Sequence, residues 1–580
     1  MTTTDLLRRL YHVVQAEAAT QYQALEQQWN APLSERVAKG WAIEGLHVER
    51  IDGETIYLVC DTNISRFREG DLVALHRGNP RDPNALHLEL TYDGEQEIEA
   101  SLVRGNVYFL TAEPDGWIID QDWFDASQFY LDALNTVADS HRGRALILPL
   151  LNGSLIPKVD FARYDRCVHE IDFIGLNDSQ IEAVAQAYAV DLLHLIQGPP
   201  GTGKTLMLAH LAKLLVRDGQ RVLVTALTHR AIHNALNKII QVDEHIPVCK
   251  IGNKRLIGDL NVPNYENFTE SKFESIHGGY VVGATPFALL SQRLANVEFD
   301  VILFDEASQI TLPLAIMGML AGNKYIFIGD DNQLPPVTIL DQKCEQQPAI
   351  FSYLAGRGNE TMLNITYRLN DALTHWPSRT FYGNQLKSSQ EAAGRRLQLV
   401  GNSSRWDFVL DPAAPVIFLD LCHRNTTVRS LHEAEVVVEL IQALLDHHIQ
   451  PDDIGVVVPY RAQSRLIRTL LRRAVANKEI TDRIVVDTVE RMQGQEREVI
   501  LVSFATSSST FASMMAGFIF QPQRLNVAIT RPRTKLIMVG SRKILSAQTD
   551  DPDNAYAIKL MQDLVDHCQV FTVPDGSLIR

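Results

Sequence analysis

The chain has 580 residues, too many for a single hydrophobic core, and its length suggests about four structural units. Hydrophobic residues make up 46% and charged residues 21%, a balance that excludes a disordered protein. The 54 basic and 70 acidic side chains give a formal charge of −16, which excludes a strongly basic DNA-wrapping protein but not a local basic groove. The six cysteines form no C-x-x-C pair, and neither a signal peptide nor a membrane-length apolar run is seen. We therefore expect a cytoplasmic protein with no membrane partner.

Two kinds of periodicity divide the N-terminal part of the chain. Within residues 1–45, apolar residues at helical spacing predict an amphipathic helix over 5–29. From residue 46 the period changes to two, and the pattern predicts a small β-barrel or sandwich over 46–120. Its expected strands are 46–51 and 54–59, joined as a hairpin, and then 71–76, 86–92 and 106–111. Residues 121–175 are expected to return as a helical stalk and linker.

Beyond residue 176, short apolar strands alternate with helical segments. This alternation predicts an α/β fold with parallel sheets covered on both faces. Enough strands are present for two sheets, and we expect them in domains 176–350 and 351–580. The expected strands are 192–197, 221–226, 301–304, 325–329, 454–459, 484–487, 499–504 and 535–539.

A glycine-rich loop follows the first of these strands directly. It matches the phosphate-binding pattern G-x-x-x-x-G-K-[ST], and its residues are Gly198, Pro199, Pro200, Gly201, Thr202, Gly203, Lys204 and Thr205. Backbone N–H groups of such a loop surround the β-phosphate, at the positive end of the following helix. Lys204 is expected to reach the β- and γ-phosphates, and the Thr205 hydroxyl is expected to bind Mg²⁺.

An Asp-Glu pair ends the apolar strand 301–304. An acid that emerges from a buried strand can hold Mg²⁺, which predicts a metal ligand at Asp305. The adjacent carboxylate, Glu306, can polarise the attacking water. These residues predict an ATP hydrolase whose cofactors are ATP and Mg²⁺.

The order of sequence blocks resembles superfamily 1 helicases, in particular the branch of the nonsense-mediated-decay helicase, senataxin and the immunoglobulin-mu-binding helicase. The resemblance runs from Leu176 to about Gly540 and, more weakly, through the N-terminal helix and barrel. It implies two RecA-like domains that carry an N-terminal helical stalk and a β-barrel. It also implies movement in the 5′→3′ direction on single strands.

The resemblance assigns further residues to the nucleotide. Gln180 lies in a block whose glutamine reads adenine, although Ser179 and Glu182 could also make this segment a simple capping box. Gln333 takes the place of the glutamine that contacts the γ-phosphate. The second sheet is expected to supply two arginines that stabilise the transferred phosphoryl group, Arg368 and Arg531. Tyr367 is expected to stack on adenine, and Glu496 to accept a ribose hydroxyl.

Nucleic-acid contacts are expected along the top of both sheets. The candidate residues are Thr228, His229, Ala284, Thr285, Pro459, Tyr460, Gln463 and Thr488. Hydroxyls and backbone amides of this kind bind phosphates without reading sequence. Arg461, Arg465, Arg468 and Arg472 also share one face of a helix, which is either a track for phosphates or an ordinary solvated face.

These residues predict an ATP-dependent helicase or translocase on single-stranded DNA or RNA. Two other functions use the same ATPase residues: a nucleic-acid clamp that does not separate strands, and an ATPase that acts on protein. The sequence does not separate DNA from RNA, because contacts to the 2′-hydroxyl have no motif here. It names no protein partner, and a monomer is the simplest expectation.

Overall fold

The computed structural model describes residues 3–253, 258–294, 297–338, 349–401 and 404–573. The chain forms two compact units. The first contains residues 1–18 and 126–393, and the second contains residues 19–125 and 394–580. Among the described residues, no helix combines the length and the apolar composition that crossing a bilayer requires.

A long N-terminal helix is followed by a closed antiparallel barrel. The helices are α1 (Thr3–Asn30) and α2 (Leu33–Ala38). The strands are β1 (Ala42–Asp52), β2 (Thr55–Val59), β3 (Leu72–His76), β4 (Leu86–Asp93), β5 (Glu97–Arg104) and β6 (Trp117–Gln121). Their order is β1-β2-β5-β4-β3-β6, and β1 closes the barrel against β6. The expected helix, hairpin and barrel are confirmed. The expected strand at 106–111 is wrong, because these residues lie in the connection between β5 and β6.

The first unit is built on an eight-stranded sheet with the order β10-β9-β11-β8-β12-β13-β7-β14. Its strands are β7 (Leu193–Gln197), β8 (Arg221–Thr225), β9 (Val248–Ile251), β10 (Asn264–Tyr265), β11 (Tyr280–Gly283), β12 (Val301–Phe304), β13 (Lys324–Gly329) and β14 (Glu360–Met362), and a separate two-stranded sheet pairs β15 (Ile365–Thr366) with β16 (Lys387–Ser388). All neighbouring strands are parallel. Alternate residues of β12 enter two different cores, Val301 and Leu303 on one face and Ile302 and Phe304 on the other. Helices therefore cover both faces of this sheet, as the continuous apolar strands predict.

The helices of the first unit follow the strands in chain order. They are α3 (Ser127–Asp139), α4 (Leu148–Asn152), α5 (Phe161–Ile171), α6 (Asp178–Ala189), α7 (Lys204–Arg217), α8 (His229–Val242), α9 (Pro286–Leu289), α10 (Leu312–Met319), α11 (Ile350–Leu354), α12 (Asp371–Phe381) and α13 (Gln390–Ala393), with a π-helical turn at Gly143–Ile147 and 3₁₀ turns at Phe268–Ser271, Phe273–Ser275 and Ala307–Gln309.

The second unit combines the barrel with a six-stranded parallel sheet in the order β19-β18-β20-β21-β17-β22. The strands are β17 (Val416–Asp420), β18 (Ile454–Val458), β19 (Val485–Thr488), β20 (Arg497–Ser503), β21 (Pro532–Gly540) and β22 (Gln569–Thr572). The helices are α14 (Asp407–Leu410), α15 (Leu431–Asp446), α16 (Arg461–Ala474), α17 (Lys478–Arg483), α18 (Val489–Met492), α19 (Ser509–Met514), α20 (Ala516–Ile519), α21 (Pro522–Ile529) and α22 (Pro552–His567), with 3₁₀ turns at Pro451–Asp453 and Arg542–Ser546. The α/β fold with two parallel sheets and a small barrel is confirmed.

The structure groups two segments differently from the expected domains. Residues 351–393 belong to the first unit, since β14 pairs with β7 and extends the first sheet. Most of the barrel segment, residues 19–125, belongs to the second unit. Both groupings depend on pairing between residues that are far apart in the chain, which the local pattern does not contain.

Candidate active site

The phosphate loop joins β7 to α7 and has the backbone that its glycines allow. Gly201 and Gly203 have φ angles of +73° and +80°, in the left-handed region that favours glycine. Lys204 begins α7, and its Nζ donates a hydrogen bond to the carbonyl of Gly198. A Cβ at Gly198 would lie 2.2 Å from Cγ of Lys204, so glycine is required there for the lysine to fold across the loop. The loop therefore presents the helix N-terminus and one ammonium group to the same space.

The Asp-Glu pair lies where β12 ends. Asp305 is buried, its backbone N–H donates to the carbonyl of Thr225 at 2.9 Å, and its Oδ1 accepts from the N–H of Glu306 at 2.9 Å. Glu306 has a φ of +51°, a strained backbone conformation for a residue with a side chain. Burial raises the pKa of the Asp305 carboxyl to about 7, with a further contribution from Glu306 and opposition from Lys204. A cation bound to Asp305 would offset this desolvated charge.

Oxygen donors suited to Mg²⁺ are present at this site. Thr205 supplies a hydroxyl in the first turn of α7, and Asp305 supplies a carboxylate. Mg²⁺ prefers such hard oxygen ligands and takes its remaining ligands from phosphate and water. Within the described part of the chain, no group of three or more His, Cys, Asp or Glu residues could hold a metal by itself. The residues therefore fit a magnesium ion that is shared with a nucleotide.

A third acidic residue, which the sequence analysis missed, lies beside this pair. Asp330 follows β13 and is buried, and its Oδ2 accepts hydrogen bonds from Gln333 Nε2 at 2.7 Å and from the Tyr382 hydroxyl at 2.8 Å. The N–H of Gly198 donates to Gly329 at 2.8 Å, which ties the phosphate loop to the same strand end. Burial raises the pKa of Asp330, whereas Lys204 and the two hydrogen bonds lower it. The signal was available, because an acid that follows a buried strand is the pattern that identified Asp305.

Gln180 braces the phosphate loop and caps a helix. Its Nε2 donates to the carbonyl of Thr202 at 2.9 Å, and its Oε1 accepts from the N–H of Asn177 at 3.1 Å. Asn177 is the N-cap of α6 and forms a capping box with Gln180, so the expected box of Ser179 and Glu182 is wrong. The adenine contact of Gln180 stays a prediction.

Tyr367 and Arg368 lie against the phosphate loop in the first unit. The N–H of Tyr367 donates to the carbonyl of Gly201 at 2.8 Å, and its hydroxyl accepts from Asn177 Nδ2 at 2.8 Å. The ring of Tyr367 is 38% exposed, which leaves a face on which a base could stack. Arg368 is buried, and its Cβ lies 2.4 Å from the position that a Cβ of Gly201 would take. The expectation that the second sheet supplies Arg368 is therefore wrong, because this segment continues from the edge strand β14.

The remaining nucleotide candidates lie in the second unit. Arg531 is buried, and it donates from Nε to the carbonyl of Val527 at 2.8 Å and from Nη2 to Thr530 Oγ1 at 3.3 Å. Glu496 is part-exposed and forms an ion pair with Arg533 at 2.5 Å. Their contacts with a nucleotide stay predictions.

The four strand-contact candidates of the first unit follow β8 and β11, which are neighbours in the sheet. Thr228 is exposed and caps α8 by accepting from the N–H of Ala231 at 3.3 Å. His229 and Thr285 are part-exposed, and burial together with nearby Lys250 lowers the pKa of His229 to about 4. Ala284 is buried, and its N–H donates to the carbonyl of Val224 at 3.1 Å. The expected strand contact by Ala284 is therefore contradicted.

In the second unit, Pro459 and Tyr460 are part-exposed, whereas Gln463 and Thr488 are buried. The Tyr460 ring stacks on Phe518 with centroids 5.5 Å apart, and burial raises the pKa of its hydroxyl to about 12. Gln463 accepts from the N–H of Ser430 at 2.8 Å and donates to Ser430 O and Ser503 Oγ, both at 3.0 Å. Its amide is satisfied inside the unit, so the expected strand contact by this side chain is wrong. The N–H of Thr488 donates to Asp487 Oδ1 at 2.7 Å, which leaves little of this residue for a strand.

Both interpretations of the basic face on α16 are wrong. Arg465 is 1% exposed, and Arg461, Arg465 and Arg468 surround one barrel carboxylate, Asp93. Arg472 donates to the hydroxyl of Tyr92 at 3.0 Å. The arginines therefore bind the barrel, and they form neither a solvated face nor an open track for phosphates.

The parallel sheets, the phosphate loop and the Asp-Glu pair together define a P-loop ATPase core of the superfamily 1 helicase class. A family model described as an AAA domain matches residues 347–543, and a second model with the same description matches residues 175–277 and 263–341.

Three curated relatives are similar to the chain. The DNA replication ATP-dependent helicase/nuclease DNA2 of Saccharomyces cerevisiae is 29% identical over 64% of this chain and 26% of its own length. The DNA replication ATP-dependent helicase/nuclease JHS1 of Arabidopsis thaliana is 29% identical over 86% of this chain and 39% of its own length. The DNA polymerase alpha-associated DNA helicase A of Schizosaccharomyces pombe is 28% identical over 66% of each chain. The chain thus spans well under half the length of the first two relatives. These relatives do not confirm the branch that the sequence resembles.

Proposed function

We propose that the protein is an ATP-dependent helicase that moves along single-stranded DNA. The observation that carries the proposal is the joint placement of Lys204, Asp305 and Glu306 at the carboxyl ends of neighbouring parallel strands. Ligands of open α/β sheets bind at this edge. The printed names of the relatives, all of them DNA helicases, favour DNA over RNA as the strand.

Each residue has a definite task in hydrolysis. Lys204 and the N-terminal amides of α7 bind the β- and γ-phosphates, and Thr205 and Asp305 hold Mg²⁺, which would neutralise charge that develops on the phosphates. Glu306 orients the attacking water and accepts its proton. Gln333 senses the γ-phosphate from its bond to Asp330. Arg368, Arg531, Glu496 and Gln180 keep the roles that the family resemblance gives them.

The direction of movement, the single-stranded substrate and the monomeric state rest on the resemblance and the sequence alone. We infer 5′→3′ movement from it. A cytoplasmic location is part of the same proposal, and it draws support from five cysteines that carry free thiols in the described residues.

The variant Glu306→Gln tests the ATPase assignment. We expect ATP binding to persist and turnover to fall by about a hundredfold or more, because the loss of a general base removes factors of this size. Glu298→Gln is the matched control, since Glu298 is a 60% exposed carboxylate of the same unit that pairs with Arg142. Unchanged turnover in Glu306→Gln would refute the catalytic assignment.

Strand displacement tests the motor itself. Matched duplexes with a 5′ or a 3′ single-stranded overhang, in DNA and in RNA, should be compared at one stated salt concentration. We expect displacement of the DNA duplex with the 5′ overhang. ATPase activity that DNA stimulates without displacement would identify a clamp instead, and turnover indifferent to any oligonucleotide would identify an ATPase that acts on protein.

A further inference from the structure

One carboxylate of the barrel is surrounded by three arginines of the second sheet's helices. Asp93 ends β4 and is 2% exposed. Arg461 Nη1 and Arg465 Nη2 lie 3.2 Å from Asp93 Oδ2, and Arg468 Nη2 lies 3.7 Å from its Oδ1. We call Asp93 with these three arginines the arginine dock. All four residues belong to the second unit, so the dock is an internal joint of that unit.

Arg465 is the centre of the dock. Its guanidinium donates to the backbone carbonyls of Ser65 at 2.6 Å, Phe67 at 2.8 Å and Asp93 at 3.1 Å, in addition to the Asp93 carboxylate. Burial lowers the pKa of Arg465 to about 10, and Asp93 opposes this effect. A buried guanidinium is tolerated only where its donors find acceptors, and here the barrel backbone supplies them. The barrel loop 61–69 and the end of β4 are therefore held in one orientation on α16.

Contacts around the dock extend the joint to two other elements. Arg429, in the segment before α15, donates to Glu95 at 2.9 Å. Arg491 of α18 donates to Glu69 at 2.7 Å. Because three separate segments of the second sheet's domain bind the barrel, rotation of the barrel about any one contact would break the others.

The helices that bind the barrel are those that follow the expected strand contacts. Tyr460 immediately precedes α16, and Thr488 immediately precedes α18. The barrel is thus fixed to the elements whose first residues follow the carboxyl ends of β18 and β19. A displacement of these elements would displace the barrel by the same amount.

We propose that Asp93 and Arg465 are positioning residues that make the barrel a rigid part of the second ATPase domain, so that strand separation depends on movement of the barrel with this domain. The inference rests on the proposed helicase function. It concerns neither ATP hydrolysis nor strand binding, because the dock residues contact no residue of the nucleotide site.

The variant Asp93→Asn in the full chain tests the proposal. The amide keeps the shape of the side chain but leaves three arginines without their shared counter-charge. We expect hydrogen exchange at the backbone amides of residues 63–67 and 92–95 to accelerate at least about tenfold. We expect the number of base pairs separated per ATP hydrolysed to fall about fivefold or more, with DNA-stimulated ATPase activity within about twofold of wild type. This ratio does not change when part of the protein is merely unfolded, because both rates then fall together.

The control variant is Asp122→Asn, which removes a barrel carboxylate that pairs with His87 within the barrel and leaves the dock intact. It should change neither the exchange rates nor the ratio. If Asp93→Asn does not fold, the double variant Arg429→Gln/Arg472→Gln weakens the periphery of the joint without leaving a buried charge unpaired, and a smaller change in the same direction is expected. Unchanged exchange, or an unchanged ratio of base pairs to ATP, would overturn the proposal. Failure of the wild-type chain to separate strands would instead refute the helicase function, while the exchange comparison would still test the joint.

Discussion

Gln333 donates a hydrogen bond from Nε2 to Oδ2 of Asp330 at 2.7 Å, with both side chains buried beside the phosphate loop. The hydroxyl of Tyr382, at the C-terminal end of α12, donates to the same oxygen at 2.8 Å. The expected sensor of the γ-phosphate is therefore bonded through one carboxylate to a helix that continues from the Arg368 segment. A shift of Gln333 toward a phosphate would change the acceptor that Tyr382 sees.

Removal of one of the two hydrogen bonds tests this connection. Tyr382→Phe leaves the buried Asp330 carboxylate with one donor fewer, and we expect the folded state to lose about 1–2 kcal/mol of stability. We also expect kcat to fall several-fold with little change in ATP affinity, because the Gln333 side chain loses its fixed partner. Urea unfolding and steady-state kinetics measure the two effects. Tyr11→Phe, at a 38% exposed tyrosine of the same unit, should alter neither.

Gly201 allows a second prediction about the phosphate loop. A Cβ there would lie 2.4 Å from Arg368 Cβ and 2.6 Å from Thr366 Oγ1, and the φ of +73° is strained for any other residue. Gly201→Ala should weaken ATP binding by about tenfold or more, since the loop must move to relieve both contacts. Gly219→Ala separates strain from collision, because φ is +78° at Gly219 but nothing lies within 4 Å of the added carbon. This control should cost about 1 kcal/mol of stability and leave ATP affinity unchanged, as measured by calorimetry. Equal affinities in the two variants would contradict the prediction.

The nucleotide site could be predicted because its determinants are local. The phosphate loop and the pair Asp305-Glu306 each follow a buried strand within a few residues, so the sequence order alone places them at one sheet edge. The two-residue hairpin turn and the helical periodicity of α1 are local in the same sense. Val416–Asp420 was an apolar run of the same kind and should have been recognised as β17.

The errors concern partners that are distant in the chain. Helical spacing shows that Arg461 and Arg465 share a face, but it cannot show that Asp93, 372 residues away from Arg465, covers that face. Gln463 is buried because Ser430 and Ser503 saturate its amide, and neither serine is near it in sequence. Arg368 was placed with the second sheet because β14 is a three-residue edge strand whose pairing with β7 leaves no periodic signal.

Lys324 gives the first unit a pH-dependent stability. Its Nζ is buried and donates to the carbonyl of Tyr188 at 2.9 Å. Burial, assisted by Arg163 and opposed by Asp191, lowers the pKa of this ammonium group from 10.5 to about 7. Between these two values the unfolded chain binds the proton more tightly than the folded chain, so the folded state gains stability as the pH rises through this range.

The variant Lys324→Met removes this titration. From about pH 7.5 to about pH 9.5, the free energy of unfolding of wild type should rise relative to that of the variant by about 1 kcal/mol per pH unit. Urea unfolding followed by circular dichroism at the two pH values provides the comparison. Lys213→Met, at a 42% exposed lysine that pairs with Asp243, should show no such trend. A constant difference between wild type and Lys324→Met across this range would mean that the ammonium keeps its ordinary pKa.

Gln463 distinguishes a packing residue from a strand contact. Replacement by leucine removes the partners of Ser430 N, Ser430 O and Ser503 Oγ inside the second unit. Since buried polar groups left without partners are costly, Gln463→Leu should lower the free energy of unfolding by about 2–4 kcal/mol. The remaining folded protein should bind single-stranded DNA with unchanged affinity, because the amide faces the interior. Gln442→Leu is the matched control, as its amide makes one exposed 3.4 Å contact with Ala474 O, and it should leave stability within about 0.5 kcal/mol of wild type. Fluorescence anisotropy with a labelled oligonucleotide, at a temperature where both variants are folded, measures the affinity. A loss of DNA affinity in Gln463→Leu without a loss of stability would restore the strand contact that the motif suggested.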